Sequence, residues 1–173
     1  MKKTIILGLL ILTCGLSATF AQGDNCVHHV WVEDKDPKGI NIRDTPSIKG
    51  KIIDVIPKAT DEDEPEVSIE VVSYSNGWLK MRWTETVNGK EKTKFGWISA
   101  KKVDFAIENK SGKRSVPLYS SASRKSKKIA SMPDTAKFDI VGLSCFGFKI
   151  CYQGKTGWIW EGETCGNPLT TCS

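Results

Sequence analysis

Residues 76–83 read Asn76-Gly77-Trp78-Leu79-Lys80-Met81-Arg82-Trp83. Leu79, Met81 and Trp83 fall on one parity, and Trp78, Lys80 and Arg82 on the other. A pleated strand sends the two parities to opposite faces, so the first set is expected to face a core. Phe148, Ile150 and Tyr152 repeat that apolar face, opposite Gly147, Lys149 and Cys151. Val67, Ile69 and Val71 alternate in the same way. Long amphipathic helical patterns are absent, and clusters of Gly, Pro, Asn and Ser separate the short alternating runs. That pattern predicts an all-β chain built of small barrels or sandwiches. Asn88-Gly89 is a hairpin signal because both positions tolerate positive φ, and Gln153-Gly154 is its weaker counterpart.

The chain has 173 residues, 39% hydrophobic and 26% charged. This ordinary globular composition excludes wholesale disorder and a multi-pass membrane protein. It allows one or two small domains and no large enzyme core. Six cysteines are too few for a knottin-type scaffold, while six tryptophans are more than average usage supplies.

The sequence contains a degenerate internal repeat. Ile42-Arg43-Asp44-Thr45-Pro46-Ser47 aligns with Leu118-Tyr119-Ser120-Ser121-Ala122-Ser123, and the register continues to Ile56-Pro57 and Met132-Pro133 at a constant offset of 76. Ile69 to Met81 aligns with Phe138 to Ile150 at an offset of 69, and Gly96-Trp97-Ile98 aligns with Gly157-Trp158-Ile159 at 61. The falling offset puts two extra segments in the first copy. One is the acidic run from Asp61 to Glu66, and the other lies between Trp83 and Phe95. Both read as longer loops.

Lys2 and Lys3 precede an apolar run, Thr4 to Leu12, that is shorter than the roughly 20 residues a membrane-spanning helix needs. Thr19 and Ala21 occupy the small-residue positions before a cut ahead of Gln22. Residues 1–21 are therefore expected to be a cleaved signal peptide. Lipidation at Cys14 is disfavoured by Thr13 before it and by the apolar residues after it. The expected mature chain is exported, periplasmic or extracellular, without an integral membrane span, in a compartment where disulfides persist.

Gly39-Ile40-Asn41-Ile42-Arg43, Pro46-Ser47 and Lys51-Ile52-Ile53 resemble the opening of a bacterial SH3-like (SH3b) domain. Asn76 to Arg82, followed by Gly96-Trp97-Ile98, resembles its closing half. The resemblance covers nearly all of residues 30–104 and implies a five-to-six-stranded, partly open β-barrel. The second copy keeps Gly157-Trp158-Ile159 but has Leu118-Tyr119 where Ile42-Arg43 stands, and Gly147 where Trp78 stands. The expected architecture is thus two small SH3-like barrels in tandem, residues 27–104 and 105–173. Members of this family resemble targeting or adaptor modules that bind peptidoglycan peptides or other proteins, often fused to wall hydrolases.

No catalysis is expected. A cysteine or serine nucleophile needs a histidine brought to it from elsewhere in the fold, and the only histidines are His28 and His29. The acidic run from Asp61 to Glu66 lacks the hydrophobic framing that fixes two carboxylates across a sugar cleft. It also lacks the spacing and central glycine of a calcium loop. On a strand His28 and His29 point to opposite faces, so with Cys26 they do not form a metal site. No cofactor is expected.

The cysteines after the leader, Cys26, Cys145, Cys151, Cys165 and Cys172, are read as disulfide residues. Cys165 and Cys172 enclose the turn-rich Gly166-Asn167-Pro168 and are the favoured bridge. A direct Cys145–Cys151 bridge requires an irregular hairpin. No Cys-x-x-Cys spacing of a catalytic dithiol occurs.

Trp97, Trp158 and Trp83 are expected in the core. Trp78, on the parity of Lys80 and Arg82, is expected to line a partly exposed groove. Asn41 and Arg43 share a face near it, with Tyr74 as a further wall and Arg43 able to fork onto a carboxylate. The candidate ligand residues are Trp78, Arg43, Asn41, Tyr74 and Lys80, all in the first copy. Residues 24–104 carry 13 basic and 15 acidic groups, whereas residues 105–173 carry 10 and 5. The basic excess, concentrated in Lys110, Lys113, Arg114, Arg124, Lys125, Lys127 and Lys128, is read as a solvated loop rather than a patch for anionic wall polymer, lipid headgroup or nucleic acid. The expected partner is a cell-wall peptide or glycan, or else an envelope protein recognised through an interaction or inhibitor surface.

Overall fold

The structure is a computed structural model, and it describes residues 26–32, 36–57, 68–107, 115–133 and 135–165. The leader with Cys14, the acidic run 61–66, Lys110, Lys113, Arg114 and Cys172 lie outside the described residues. Fourteen strands follow one another: β1 His28–Val32, β2 Ile40–Arg43, β3 Ile52–Ile56, β4 Ser68–Ser75, β5 Trp78–Val87, β6 Lys90–Ser99, β7 Val103–Asp104, β8 Ala106–Ile107, β9 Ser115–Tyr119, β10 Lys128–Pro133, β11 Asp139–Ser144, β12 Gly147–Tyr152, β13 Lys155–Trp160 and β14 Thr164–Cys165. Short 3-10 turns at Ala100–Lys102 and Glu161–Glu163 precede β7 and β14. The fold is all-β, as the alternation predicts.

One sheet has the order β3-β2-β6-β5-β4-β1-β7, a second β10-β9-β13-β12-β11, and β14 pairs with β8. Strands β9 to β13 repeat the order of β2 to β6, and the repeat extends to its irregularities; β1 and β7 extend the first sheet past β4, whereas β8 and β14 pair with each other apart from the second. In the β2–β3 ladder the register slips past Ile53, and in β9–β10 it slips past Ile129, which is 76 residues later. The β4–β5 ladder slips past Val72 and β11–β12 past Val141, 69 residues later. A bulge inserts an unpaired residue and bends the strand. The first-copy bulge is why Val71 and Val72 are both buried although they are neighbours.

Elsewhere parity holds. Leu79 and Met81 are buried on β5, Phe148 and Ile150 on β12. Asn88 and Gly89 both adopt positive φ between the ten-residue β5 and β6. Gln153 and Gly154 do the same between the six-residue β12 and β13. The longer first-copy hairpin accounts for the second fall in the repeat offset.

Gly96 and Gly157 explain the repeated Gly-Trp-Ile motif. β6 meets β2 through the Arg43–Trp97 pair, and β13 meets β9 through the Tyr119–Trp158 pair. A methyl group on Gly96 would drive into Ile42 Cγ2, and one on Gly157 would lie 2.5 Å from Leu118 Cγ. The tryptophans that follow do not fill the core as their apolar character suggests. The core side of that crossing is taken by the glycine and the isoleucine, so Trp97 and Trp158 stand half-buried on the outer face while Ile98 and Ile159 are buried. Trp83 is half-buried and packs against the core.

The two copies share one hydrophobic cluster. Phe105, at the junction, stacks on Phe148 with ring centroids 4.3 Å apart and meets Phe138 at 4.8 Å. Fully burying such a ring contributes roughly 1.5–3 kcal/mol. His28 of β1 lies against the edge of Phe148 at 5.3 Å and is 1% exposed. A disulfide joins Cys26, just before β1, to Cys145 in the β11–β12 turn, 119 residues away. This corrects the Cys145–Cys151 option: Cys145 is carried across to the first copy rather than along its own hairpin. Cys151 is disulfide-bonded as well, and no cysteine is free among the described residues.

Neither ring nitrogen of His28 has a hydrogen-bond partner among the described residues. Burial pushes its pKa below the ordinary histidine value of 6.5, against weaker upward pulls from the Glu161 carboxylate 3.5 Å from Nδ1 and from the Ser144 backbone, with His29 adding a small downward push.

Gly96→Ala is expected to destabilise the fold by about 1–3 kcal/mol through overpacking at Ile42, read as a lower urea midpoint; an unchanged midpoint contradicts the close-crossing account. Because the unfolded chain protonates His28 near pH 6.5 while the folded chain resists it, stability is fully present above pH 6.5 and declines as pH falls towards the lowered value. The melting temperature should fall over that range, and His28→Leu should flatten the decline; equal slopes for both proteins would refute this.

Candidate functional site

Because Ile40 and Ile42 turn into the core, Asn41 and Arg43 project from the outer face of β2. Arg43 stands opposite Trp97, which in turn stands opposite Lys80, so the three form one row across β2, β6 and β5. Trp78 opens β5 on the same parity, opposite Ser99. It is half-buried, not enclosed.

The loop 44–50 folds beside this row. Its backbone is fixed by Ser47 N–H donating to the Thr45 carbonyl, Gly50 N–H to the Ser47 carbonyl, and Asp44 N–H to the Lys51 carbonyl. Arg43 Nη1 donates to the Gly50 carbonyl at 2.6 Å. One guanidinium nitrogen thus holds the loop, and the others make no hydrogen bond or ion pair among the described residues. The loop carries Ile48, which is 78% exposed.

Strand face and loop enclose an open groove of about 260 Å³, whose walls include Asn41, Arg43, Trp78, Ile48, Asp36 and Lys102. Trp78 and Ile48 supply apolar walls. Arg43 and Lys102 supply positive charge, Asp36 negative charge, and Asn41 an amide that both donates and accepts. The arrangement suits a ligand with an apolar body and a carboxylate, held by an arginine whose fork matches carboxylate geometry.

Three of the five sequence-predicted residues, Asn41, Arg43 and Trp78, meet in this groove. Lys80 and Tyr74 do not line it. Lys80 sits one step along the row, its Nζ 4.8 Å from the centroid of the Phe95 ring. Tyr74 packs half-buried against the core, and burial pushes its phenol pKa up against a smaller opposing pull from the Gly77 backbone. Arg82, on the same parity, pairs with Glu70 at 2.5 Å.

Ile48, Asp36 and Lys102 escaped sequence reading. Ile48 had a visible signal: an isoleucine inside a Pro-Ser-Ile-Lys-Gly turn has no strand to bury it. Asp36 and Lys102 are ordinary charged residues until the fold brings them beside Trp78. His28 is buried and His29 exposed, so they take the opposite faces that parity predicts. Among the described residues no group of three or more His, Cys, Asp and Glu side chains is placed to hold a metal ion. No helix among them is long and apolar enough to cross a membrane.

No protein-family model matches the chain, and no curated protein matches it. Among solved structures it is similar to NlpC2 from Trichomonas vaginalis, at 15% identity and TM-score 0.32 over 80% of this chain and 47% of that one. It is also similar to NlpC1 from Trichomonas vaginalis, at 13% identity and TM-score 0.32 over 91% of this chain and 50% of that one. The chain spans about half the length of these two structures.

Arg43→Lys keeps the charge but loses the fork that reaches the Gly50 carbonyl. It should cost about 1 kcal/mol of stability, measured by denaturant unfolding, and no loss would mean the loop holds itself.

Proposed function

We propose that this chain is an exported, non-catalytic binding module of the bacterial SH3-like kind, and that it recognises a cell-envelope ligand, wall peptide or glycan. The observation that carries the reading is the groove in which Asn41, Arg43 and Trp78 converge beneath Ile48. An indole face stacks on sugars or aliphatic side chains. The unused guanidinium nitrogens of Arg43 suit a peptide carboxylate. Export is supported by the leader-like residues 1–21 and by the disulfide between Cys26 and Cys145, a bond that persists in oxidising compartments.

A second reading, a protein-interaction module, is favoured by one observation. β3 is an edge strand of the seven-stranded sheet, and Ile52, Ile53 and Val55 on it are 46%, 44% and 42% exposed. An apolar edge of this kind accepts a strand from another chain.

Retention of purified protein on insoluble peptidoglycan separates the readings. Trp78→Ala, with unchanged thermal melting, should weaken retention by at least about tenfold, as expected for a buried aromatic anchor. Retention that survives Trp78→Ala overturns the groove assignment. No retention, with a discrete protein partner recovered and lost on Val55→Lys, favours the edge-strand reading. Hydrolysis of wall material abolished by one point substitution overturns the non-catalytic reading.

A further inference from the structure

The second copy places different residues at the positions equivalent to the walls of the groove. The loop 120–127 repeats the backbone of 44–51 hydrogen bond for hydrogen bond. Ser123 N–H donates to the Ser121 carbonyl, Ser126 N–H to the Ser123 carbonyl, and Ser120 N–H to the Lys127 carbonyl, each 76 residues after its first-copy equivalent. Lys125 N–H donates to Ser123 Oγ as Lys49 N–H donates to Ser47 Oγ. Ser126 Oγ adds bonds to the Ser121 and Ser123 carbonyls. The loop is exposed, and its backbone is held by these hydrogen bonds.

Its side chains have changed. Arg124 stands where Ile48 stands. The Trp78–Ser99 pair of β5 and β6 has become the Gly147–Trp160 pair of β12 and β13, so the indole comes from the partner strand. Gly147 has φ of 144°, which a tryptophan there would not adopt readily. The Arg124 guanidinium lies over the Trp160 ring, 4.1 Å from its centroid, and Gly162 lies against the same ring, where a methyl group would drive into Cη2 and Cζ3. This cation–π contact holds the guanidinium at the ring, and Arg124 itself stays exposed.

Around it, Lys125, Lys127 and Lys128 are exposed, and none of these four cations makes an ion pair among the described residues. Residues 115–133 contain no Asp or Glu at all. The half-buried Trp158 stands on the same outer face, opposite Lys149 and Tyr119.

We infer that this second-copy face is a binding site for a polyanionic glycan, a sugar polymer bearing carboxylate, phosphate or sulfate groups. The stacked arginine and three lysines meet the anions. The exposed part of the half-buried Trp158 meets a sugar ring. A lipid surface is the poorer occupant because the only apolar residue of the loop is Ala122, with nothing to insert among acyl chains. The site is independent of the first-copy groove.

Binding of the full chain to heparin, with dextran as the uncharged comparison, tests it across a salt series. Arg124→Ser/Lys125→Ser/Lys127→Ser should raise Kd by roughly tenfold or more and flatten the salt dependence. The charge-matched Lys90→Ser/Lys92→Ser/Lys94→Ser should stay within about twofold of the parent if the effect is local rather than a matter of net charge. Lys125→Ser/Lys127→Ser, which leaves the Arg124–Trp160 stack intact, should show an intermediate loss if the triple variant does not fold. Trp78→Ala should leave heparin binding unchanged, so failure here and failure of the first-copy groove are read separately. Equal losses in both triple variants, no heparin binding at physiological salt, or tighter binding to phosphatidylglycerol vesicles or single-stranded DNA would each overturn the inference.

Discussion

Where β6 passes β2, Gly96 lies against the Ile42 side chain, with no room for a side chain of its own, and the second copy repeats the contact at Gly157 against Leu118. Much of each unit follows from that contact. It commits Ile98 and Ile159 to the interior and turns the intervening tryptophans outward. It also brings the outer face of β2, with Asn41 and Arg43, level with Trp78 at the start of β5. A larger residue at the crossing would push the strands apart, and interiors packed to crystal density have little room to absorb it.

The same scaffold carries two different surfaces. Backbone hydrogen bonds, bulge positions and strand order recur, so the chemistry is set by few side chains. Ile48 against Trp78 makes an apolar wall in one copy, and Arg124 over Trp160 makes a cationic one in the other. The cationic wall lies in the more basic half of the chain, where residues 105–173 carry 10 basic and 5 acidic groups.

Much of this was legible in the sequence. Parity alone put Leu79 and Met81 inside and Trp78 outside, because period 2 leaves a strand no other choice once one face is buried. Asn88-Gly89 named its own turn. What parity does not carry is contact between distant segments. The placement of Trp97 was misjudged because a large apolar side chain usually belongs in a core, and only the crossing geometry sends it out. The cysteine pairing was hidden for the same reason: nothing local brings Cys26 to Cys145. The exchange of the indole from β12 to β13 was invisible too, since aligned positions show a tryptophan lost at Gly147 but not its replacement across the ladder.

The bridge from Cys26 to Cys145 ties the front of the first unit to a turn of the second, across 119 residues. During synthesis the early thiol must wait until the chain has emerged past Cys145 before it finds its mate, so this covalent closure comes late. Once formed, it makes a molecule that a single backbone cut between those two positions does not divide. The severed pieces remain one particle until a reductant reaches the sulfurs.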